Sequence, residues 1–173
     1  MGRVSSGGVV LEGNNDLRGR NDLGGLNILY YNNSMTDLIR LNHVAVLVED
    51  LDQALSFWQD QLGLTLDHVE TVSSMEVKIA FLPLGESEIE LVQPTTADSG
   101  LAKFLVKRGP GLHHICIEVE DISSKVADLQ EKGVRLIDEK PITMDDGRKL
   151  AFLHPKSAGS VLIELYELPG ERP

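Results

Sequence analysis

"LNHVAVLVEDLDQAL" (residues 41–55) and "LHHICIEVEDISSKV" (residues 112–126) align without a gap at a constant offset of 71 residues, which places His43 on His114. The same offset superposes "IAFLP" (79–83) on "LAFLH" (150–154), and after a short insertion "IEL" (89–91) meets "IEL" (163–165), setting Glu90 on Glu164. Self-similarity at a fixed spacing is the first thing to establish about a chain, because it constrains every later assignment. Two copies are too few for a solenoid, so the pattern predicts a pair of modules related by a pseudo-twofold.

Working outward, residues 41–48 are apolar and β-branched and read as a strand. Asp50 is an N-cap signal for a helix that puts Leu51, Leu55, Trp58 and Leu62 on one stripe and stops at Gly63. "LTLDHVE", "MEVKIAFLPL" and "SEIELVQP" then read as three strands, the last two joined across "GES". In the second copy a helix follows Asp121, with Ile122, Val126 and Leu129 on one stripe, and ends near Gly133; "VRLI", "KLAFLH" and "SVLIELYEL" supply the strands. The expected class is therefore α+β: two tandem βαβββ modules, residues 35–95 and 111–168, whose strands form a curved mixed sheet around a trough. Residues 96–110 form a linking helix closed by Gly109 and Pro110, and 169–173 a tail.

Residues 1–34, rich in Gly and Asn and without period, are expected to be a flexible leader or a non-native segment, with Met35 as a candidate internal start. A targeting peptide is the alternative, but Glu12, Asp16 and Asp22 fit poorly with acid-poor transit sequences. A formal net charge of −11 argues against nucleic-acid or anionic-membrane partners, and an anionic ligand must find a local cation. Cys116 is the single cysteine, so no internal disulfide can form; it reads as a small buried residue in a reducing, cytoplasmic protein. No run approaches the roughly 18 apolar residues of a membrane span.

Polar residues within aliphatic strands carry the chemistry. His114, Cys116 and Glu118 share one face of their strand, while His113 lies on the other, as a bystander or as a hydrogen-bonding partner of a ligand. Taken singly, His43, His114, Glu90 and Glu164 would be ordinary strand residues. Taken together they occupy equivalent places in the two copies, and a pseudo-twofold brings all four to the trough. Two neutral imidazoles and two carboxylates suit a borderline divalent metal such as Co²⁺, Zn²⁺, Ni²⁺ or Mn²⁺, and the cation would offset the cost of burying the carboxylates.

With "LNHVAVLVEDLDQALSFW", "SEIELVQP", "GLHHICIEVEDI" and "FLHPKSAGSVLIEL" in view, the chain resembles the vicinal oxygen chelate (glyoxalase and bleomycin-resistance-like) superfamily, and within it the methylmalonyl-CoA epimerase branch, over residues 38–168. The resemblance implies that His43, Glu90, His114 and Glu164 hold the metal, cobalt being favoured. It implies an isomerase that interconverts the (2R) and (2S) forms of a CoA thioester through a chelated enolate, and a homodimer. Epimerisation calls for proton transfer on both faces of the carbon. Glu164 is one candidate base; for the other, the matching stretch "EVKIAF" offers Glu76 and Lys78, each with a solvated position as its alternative. Lys103, Lys107 and Lys156 are candidates for the CoA phosphates. The competing functions are a glyoxalase I-type isomerase acting on a glutathione hemithioacetal and a non-catalytic small-molecule-binding protein of the same fold.

Overall fold

The continuous apolar run of residues 44–48 is covered on both faces: Val46 and Val48 pack in the cluster beneath Leu51, and Ala45, on the opposite face, packs with Val77 and Val92. In the computed structural model, which describes residues 20–23, 26–29 and 37–170, this segment lies at the centre of an eight-stranded sheet. The chain divides into two units, Met1–Thr36 and Asp37–Pro173. The first contains an antiparallel pair, β1 (Arg20–Leu23) and β2 (Leu26–Leu29), in register Arg20↔Leu29; the remainder of the expected leader lies outside the described residues.

The second unit holds both modules. The first consists of β3 (Leu38–Leu47), α1 (Leu51–Leu55), β4 (His68–Val72), β5 (Val77–Leu84) and β6 (Ser87–Pro94). Helix α2 (Gly100–Arg108) links it to β7 (Gly111–Val119), α3 (Ile122–Glu131), β8 (Ile142–Thr143), β9 (Lys149–Leu153) and β10 (Leu162–Glu167). The strand order β4-β5-β6-β3-β7-β10-β9-β8 is symmetric about the antiparallel β3–β7 pair. In each half the first strand pairs in parallel with the last, β3 with β6 and β7 with β10, and the remaining pairs are antiparallel. The result is the curled mixed sheet of two βαβββ modules that the repeat predicts.

The two helix N-termini show how closely the halves match. Asp50 accepts from the backbone N–H of Gln53 at 2.8 Å, and Asp121, 71 residues on, accepts from Ser123 and Ser124 at 2.9 and 3.0 Å. Each cap is worth about 1 kcal/mol. Behind them, Leu51 packs on Ala80, Leu82 and Leu91, while Ile122 and Val126 pack on Val119, Ala151 and Leu165. Burial of a Leu or Ile side chain contributes about 1.5–3 kcal/mol, so these two clusters hold the helices on one face of the sheet and leave the other face for the trough.

Three local expectations need correction. The first-module helix is not one α-helical stripe: after Leu55 it widens into a π-helical turn, Ser56–Gln61, in which the Leu62 N–H reaches back five residues to the Phe57 carbonyl. The wider turn rotates the residues beyond it, so Leu62 is 54% exposed instead of joining Leu51 and Trp58. Strand β4 begins at His68, although the Asp67 N–H already reaches the Phe81 carbonyl at 2.9 Å. "VRLI" (134–137) is no regular strand: it touches β9 through the Leu136–Leu153 bridge and the Ile137-to-Phe152 hydrogen bond, and pairing resumes only at β8, beyond Pro141, which has no N–H to donate.

Candidate metal centre and cleft

Strand register fixes where the four polar residues meet. Across β6–β3–β7, Glu90 lies beside Ala45 and Ala45 beside His114; across β3–β7–β10, His43 lies beside Cys116 and Cys116 beside Glu164. Each histidine and its glutamate thus flank a small, fully buried residue, Ala45 or Cys116, which leaves room for the longer side chains to lean together. They do so. His43 Nε2 lies 3.0 Å from His114 Nε2, and Glu164 Oε2 is 2.8 Å from His114 Nε2 and 3.3 Å from His43 Nε2. Glu90 Oε1 stands at the other ring nitrogen of His43, 3.3 Å from Nδ1. All four residues are buried.

Neighbouring groups decide which nitrogens carry protons. The Asn42 amide N–H donates to Glu118 Oε2 at 3.1 Å, which turns Asn42 Oδ1 toward His43 Nδ1 at 2.9 Å. The Arg40 Nε–H donates to the same Glu118 oxygen at 2.9 Å and anchors the relay. His43 therefore keeps a proton on Nδ1; burial lowers its pKa, but the hydrogen bond to Glu164 and the charge of Glu90 outweigh burial and raise it, so Nε2 is protonated before a cation binds and presents its lone pair only when the cation displaces that proton. His113 makes the equivalent contact to His114, Nδ1 to Nδ1 at 2.8 Å. Burial, aided by the neighbouring His114, lowers the His113 pKa to about 4, so this imidazole is neutral and can accept the His114 Nδ1 proton. His113 thus hydrogen-bonds His114, and it packs edge-on against Phe104 of α2.

With both Nδ1 positions protonated, three atoms that can each give a lone pair to a cation, His43 Nε2, His114 Nε2 and Glu164 Oε2, face one point. A cation reconciles them. Bonds of about 2.0–2.2 Å place adjacent donors about 2.8–3.6 Å apart in octahedral or tetrahedral geometry, and the three observed separations of 2.8, 3.0 and 3.3 Å fall inside that interval. The residues present therefore fit a divalent metal. Before a cation binds, burial pushes the Glu164 carboxyl up, but hydrogen bonds donated by the Nε2–H groups of His114 and His43 outweigh it and hold the pKa at about 2, so Glu164 is ionised; a bound cation would take the place of those Nε2 protons. For Glu90 burial wins, against the pull of His43, and the pKa rises to about 7. The Cys116 thiol lies within 4.8 Å of the His43 and Glu164 donor atoms, but burial raises its pKa well above the usual thiol range and keeps it a thiol. It is the small buried residue expected.

The donors sit in the floor of a cleft of about 350 Å³. One wall comes from β4–β6, with Glu70, Val72, Val77 and Ile79; the other comes from β9, β10 and the turn before β9, with Met144, Arg148, Phe152 and Tyr166. The walls are largely apolar, and Arg148, whose Nη1 donates to the Tyr166 hydroxyl at 2.9 Å, is the one cation lining the cleft among the described residues.

Residues 42–152 match the Glyoxalase/Bleomycin resistance protein/Dioxygenase superfamily, well over half the chain. The chain belongs to that superfamily. This glyoxalase-superfamily protein is 42% identical over 127 residues to a mitochondrial methylmalonyl-CoA epimerase of Mus musculus, a span of 73% of this chain and 71% of the relative. It is 37% identical over 131 residues to an ethylmalonyl-CoA/methylmalonyl-CoA epimerase of Cereibacter sphaeroides, covering 75% of this chain and 98% of that one. Among solved structures it is similar to a Streptomyces coelicolor methylmalonyl-CoA epimerase variant in complex with 2-nitronate-propionyl-CoA: TM-score 0.71, 34% identity, 79% of this chain and 99% of the other.

Other residues singled out in the sequence of this superfamily member fall outside the cleft. Glu76 ends the short turn before β5 in a left-handed conformation (φ 55°), and its carboxylate accepts from the Thr96 hydroxyl at 3.0 Å. Lys78 alternates with Val77 and Ile79, which do line the cleft, and so shares the opposite face of β5 with Ala80 and Leu82, the face that packs on α1. Lys103 and Lys107 are exposed on α2, Lys156 is exposed in the turn before β10, and none forms an ion pair among the described residues. Glu70, Arg148 and Tyr166 were missed. Tyr166 had a usable signal, since it lies two residues from Glu164 and must share its face. No helix among the described residues is long and apolar enough to cross a membrane.

Proposed function

We propose that this protein is a metal-dependent methylmalonyl-CoA epimerase. The observation that carries the reading is the convergence of His43 Nε2, His114 Nε2 and Glu164 Oε2 in the floor of an apolar-walled cleft; the epimerases among its relatives point to the substrate. His43, His114 and Glu164 would hold the ion through these atoms, and Glu90, whose Oε1 stands at His43 Nδ1, would have to turn from that contact to join them as the fourth ligand. A set of imidazoles and carboxylates suits Co²⁺, which we favour, and also Zn²⁺, Ni²⁺ or Mn²⁺. When bound, the cation supplies Lewis-acid stabilisation of the enolate that forms as the α-proton leaves.

The remaining work falls to the chain. Asn42 and His113 fix the two imidazoles in the tautomer that exposes Nε2. The apolar walls exclude water from the reacting carbon, which strengthens every electrostatic interaction there. Glu164, ionised and adjacent to the donors, accepts the α-proton on the second-module side of the cleft. Arg148 offers the free carboxylate of the substrate a positive partner in a chain whose net charge is −11. The CoA phosphates lie outside the cleft in this reading, where Lys103, Lys107 and Lys156 carry unpaired charge. A homodimer is part of the same proposal, supported by the epimerase resemblance.

The test is isotopic. One epimer of methylmalonyl-CoA is incubated with protein in D₂O, and deuterium at Cα is followed together with loss of optical purity. Wash-in and inversion that stop with EDTA and resume with Co²⁺ are expected. Absence of wash-in, with turnover of a glutathione hemithioacetal instead, would refute the reading in favour of a glyoxalase-type isomerase.

A further inference from the structure

We propose that Glu70 is the acid–base residue that serves the face of the reacting carbon opposite Glu164. This deepens the epimerase reading and rests on it. Inverting a carbon through a planar enolate requires one group to take the proton from one face and another to return a proton to the other face. Glu164 belongs to β10, in the second-module half of the sheet. The opposing group must therefore be found on β4–β6.

Few residues on that wall can carry a proton. Val72, Val77, Ile79 and Val92 are apolar, and the carboxylates are Glu90 and Glu70. Glu90 is buried against the His43 ring, in the donor cluster itself. Glu76 is tied to Thr96, and Lys78 lies on the helix-facing side of β5. Glu70 differs from all of these: it lines the cleft, shares its strand face with Val72, and makes no hydrogen bond or ion pair among the described residues. In the β4–β5 ladder it lies directly across from Ile79, so its carboxylate stands beside an apolar stretch of wall that has no other proton carrier.

Its exposure suits the task. The sheet ends at β4, and Glu70 stays open to water while bordering the cleft. Each inversion moves a proton from one carboxylate to the other, and the pair must exchange with solvent before the next turnover. A buried pair would do that slowly. In one direction the Glu164 carboxylate takes the α-proton, breaking C–H and forming O–H, while the bonding electrons enter the thioester carbonyl as an enolate. Protonated Glu70 then gives its proton to the opposite face, and the enolate electrons form the new C–H bond. The reverse reaction exchanges the roles, so no oxidant or reductant is needed.

The experiment uses the full chain loaded with Co²⁺ and the two epimers of methylmalonyl-CoA separately in D₂O. Glu70→Gln is expected to slow interconversion about 10²–10⁴-fold, the usual contribution of a positioned acid–base group. It should still wash deuterium without inversion into the one epimer whose α-proton faces Glu164, with cobalt content and KM near those of the unmodified protein. Glu76→Gln and Lys78→Ala should interconvert the epimers normally. Interconversion by Glu70→Gln within about threefold of the parent, or loss of exchange from both epimers with cobalt retained, would overturn the assignment while leaving the epimerase reading intact. No interconversion by the unmodified protein would overturn both.

Discussion

Replacing Asn42 with Ala removes the acceptor that holds the His43 Nδ1 proton while leaving every proposed ligand in place. The expected cost can be worked from the contacts. Asn42 Oδ1 lies 2.9 Å from His43 Nδ1, and the amide N–H is 3.1 Å from Glu118 Oε2, which keeps the Arg40 Nε–H as a second donor at 2.9 Å. Glu118 is therefore not stranded, and the main loss is the orientation and tautomer of the His43 ring. Removal of such a supporting partner weakens metal affinity about 10–100-fold, or about 1.4–2.8 kcal/mol at tenfold per 1.4 kcal/mol. Competition titration against a chromophoric chelator with Co²⁺ reads this directly, and thermal unfolding of the metal-free protein shows whether the fold persists. If His43 is instead a core histidine serving only Glu90, Asn42→Ala lowers stability and leaves cobalt affinity unchanged. That result, with a folded protein, would refute the reasoning.

The same geometry sets two further outcomes. Cobalt affinity should fall as pH drops below about 7, by up to tenfold per pH unit from Glu90 alone, because burial raises that carboxyl from 4.5 to about 7 and the ion must displace its proton. The same raised value means that in the metal-free protein Glu90 favours folding below its ordinary range and loses that contribution as pH rises through about 7; denaturant midpoints across this window, with and without Co²⁺, check the sign. Cys116→Leu should cost about 1–3 kcal/mol through overpacking and abolish cobalt binding, since the added atoms enter the space beside His43 and Glu164, whereas Cys116→Ala should bind cobalt normally; metal analysis of the purified proteins separates the two.

The internal repeat made most of the architecture legible. Asp50 and Asp121 announced both helices, and the pairing of His43 with His114 and of Glu90 with Glu164 marked the floor of the cleft from residue identities alone. What escaped depends on how segments meet. A hydrophobic stripe cannot report that a backbone hydrogen bond lengthens to five residues at Leu62. Strand parity puts Glu76 and Lys78 together but does not say which face is the trough; that is settled by the partner strand, where Phe81 meets Glu90. Glu70 belongs to a strand that starts later than the apolar pattern of "LTLDHVE" indicates, and Arg148 to a turn whose direction no periodicity encodes.

The claim on which the rest stands is that two imidazoles and the Glu164 carboxylate grip one ion, and cobalt X-ray absorption on the purified full-length protein tests it most directly. One cobalt per chain is predicted, with two histidine nitrogens and the remaining ligands oxygen, and with one imidazole lost from the spectrum in His43→Ala or His114→Ala. An unchanged spectrum and stoichiometry in those two variants would contradict the account.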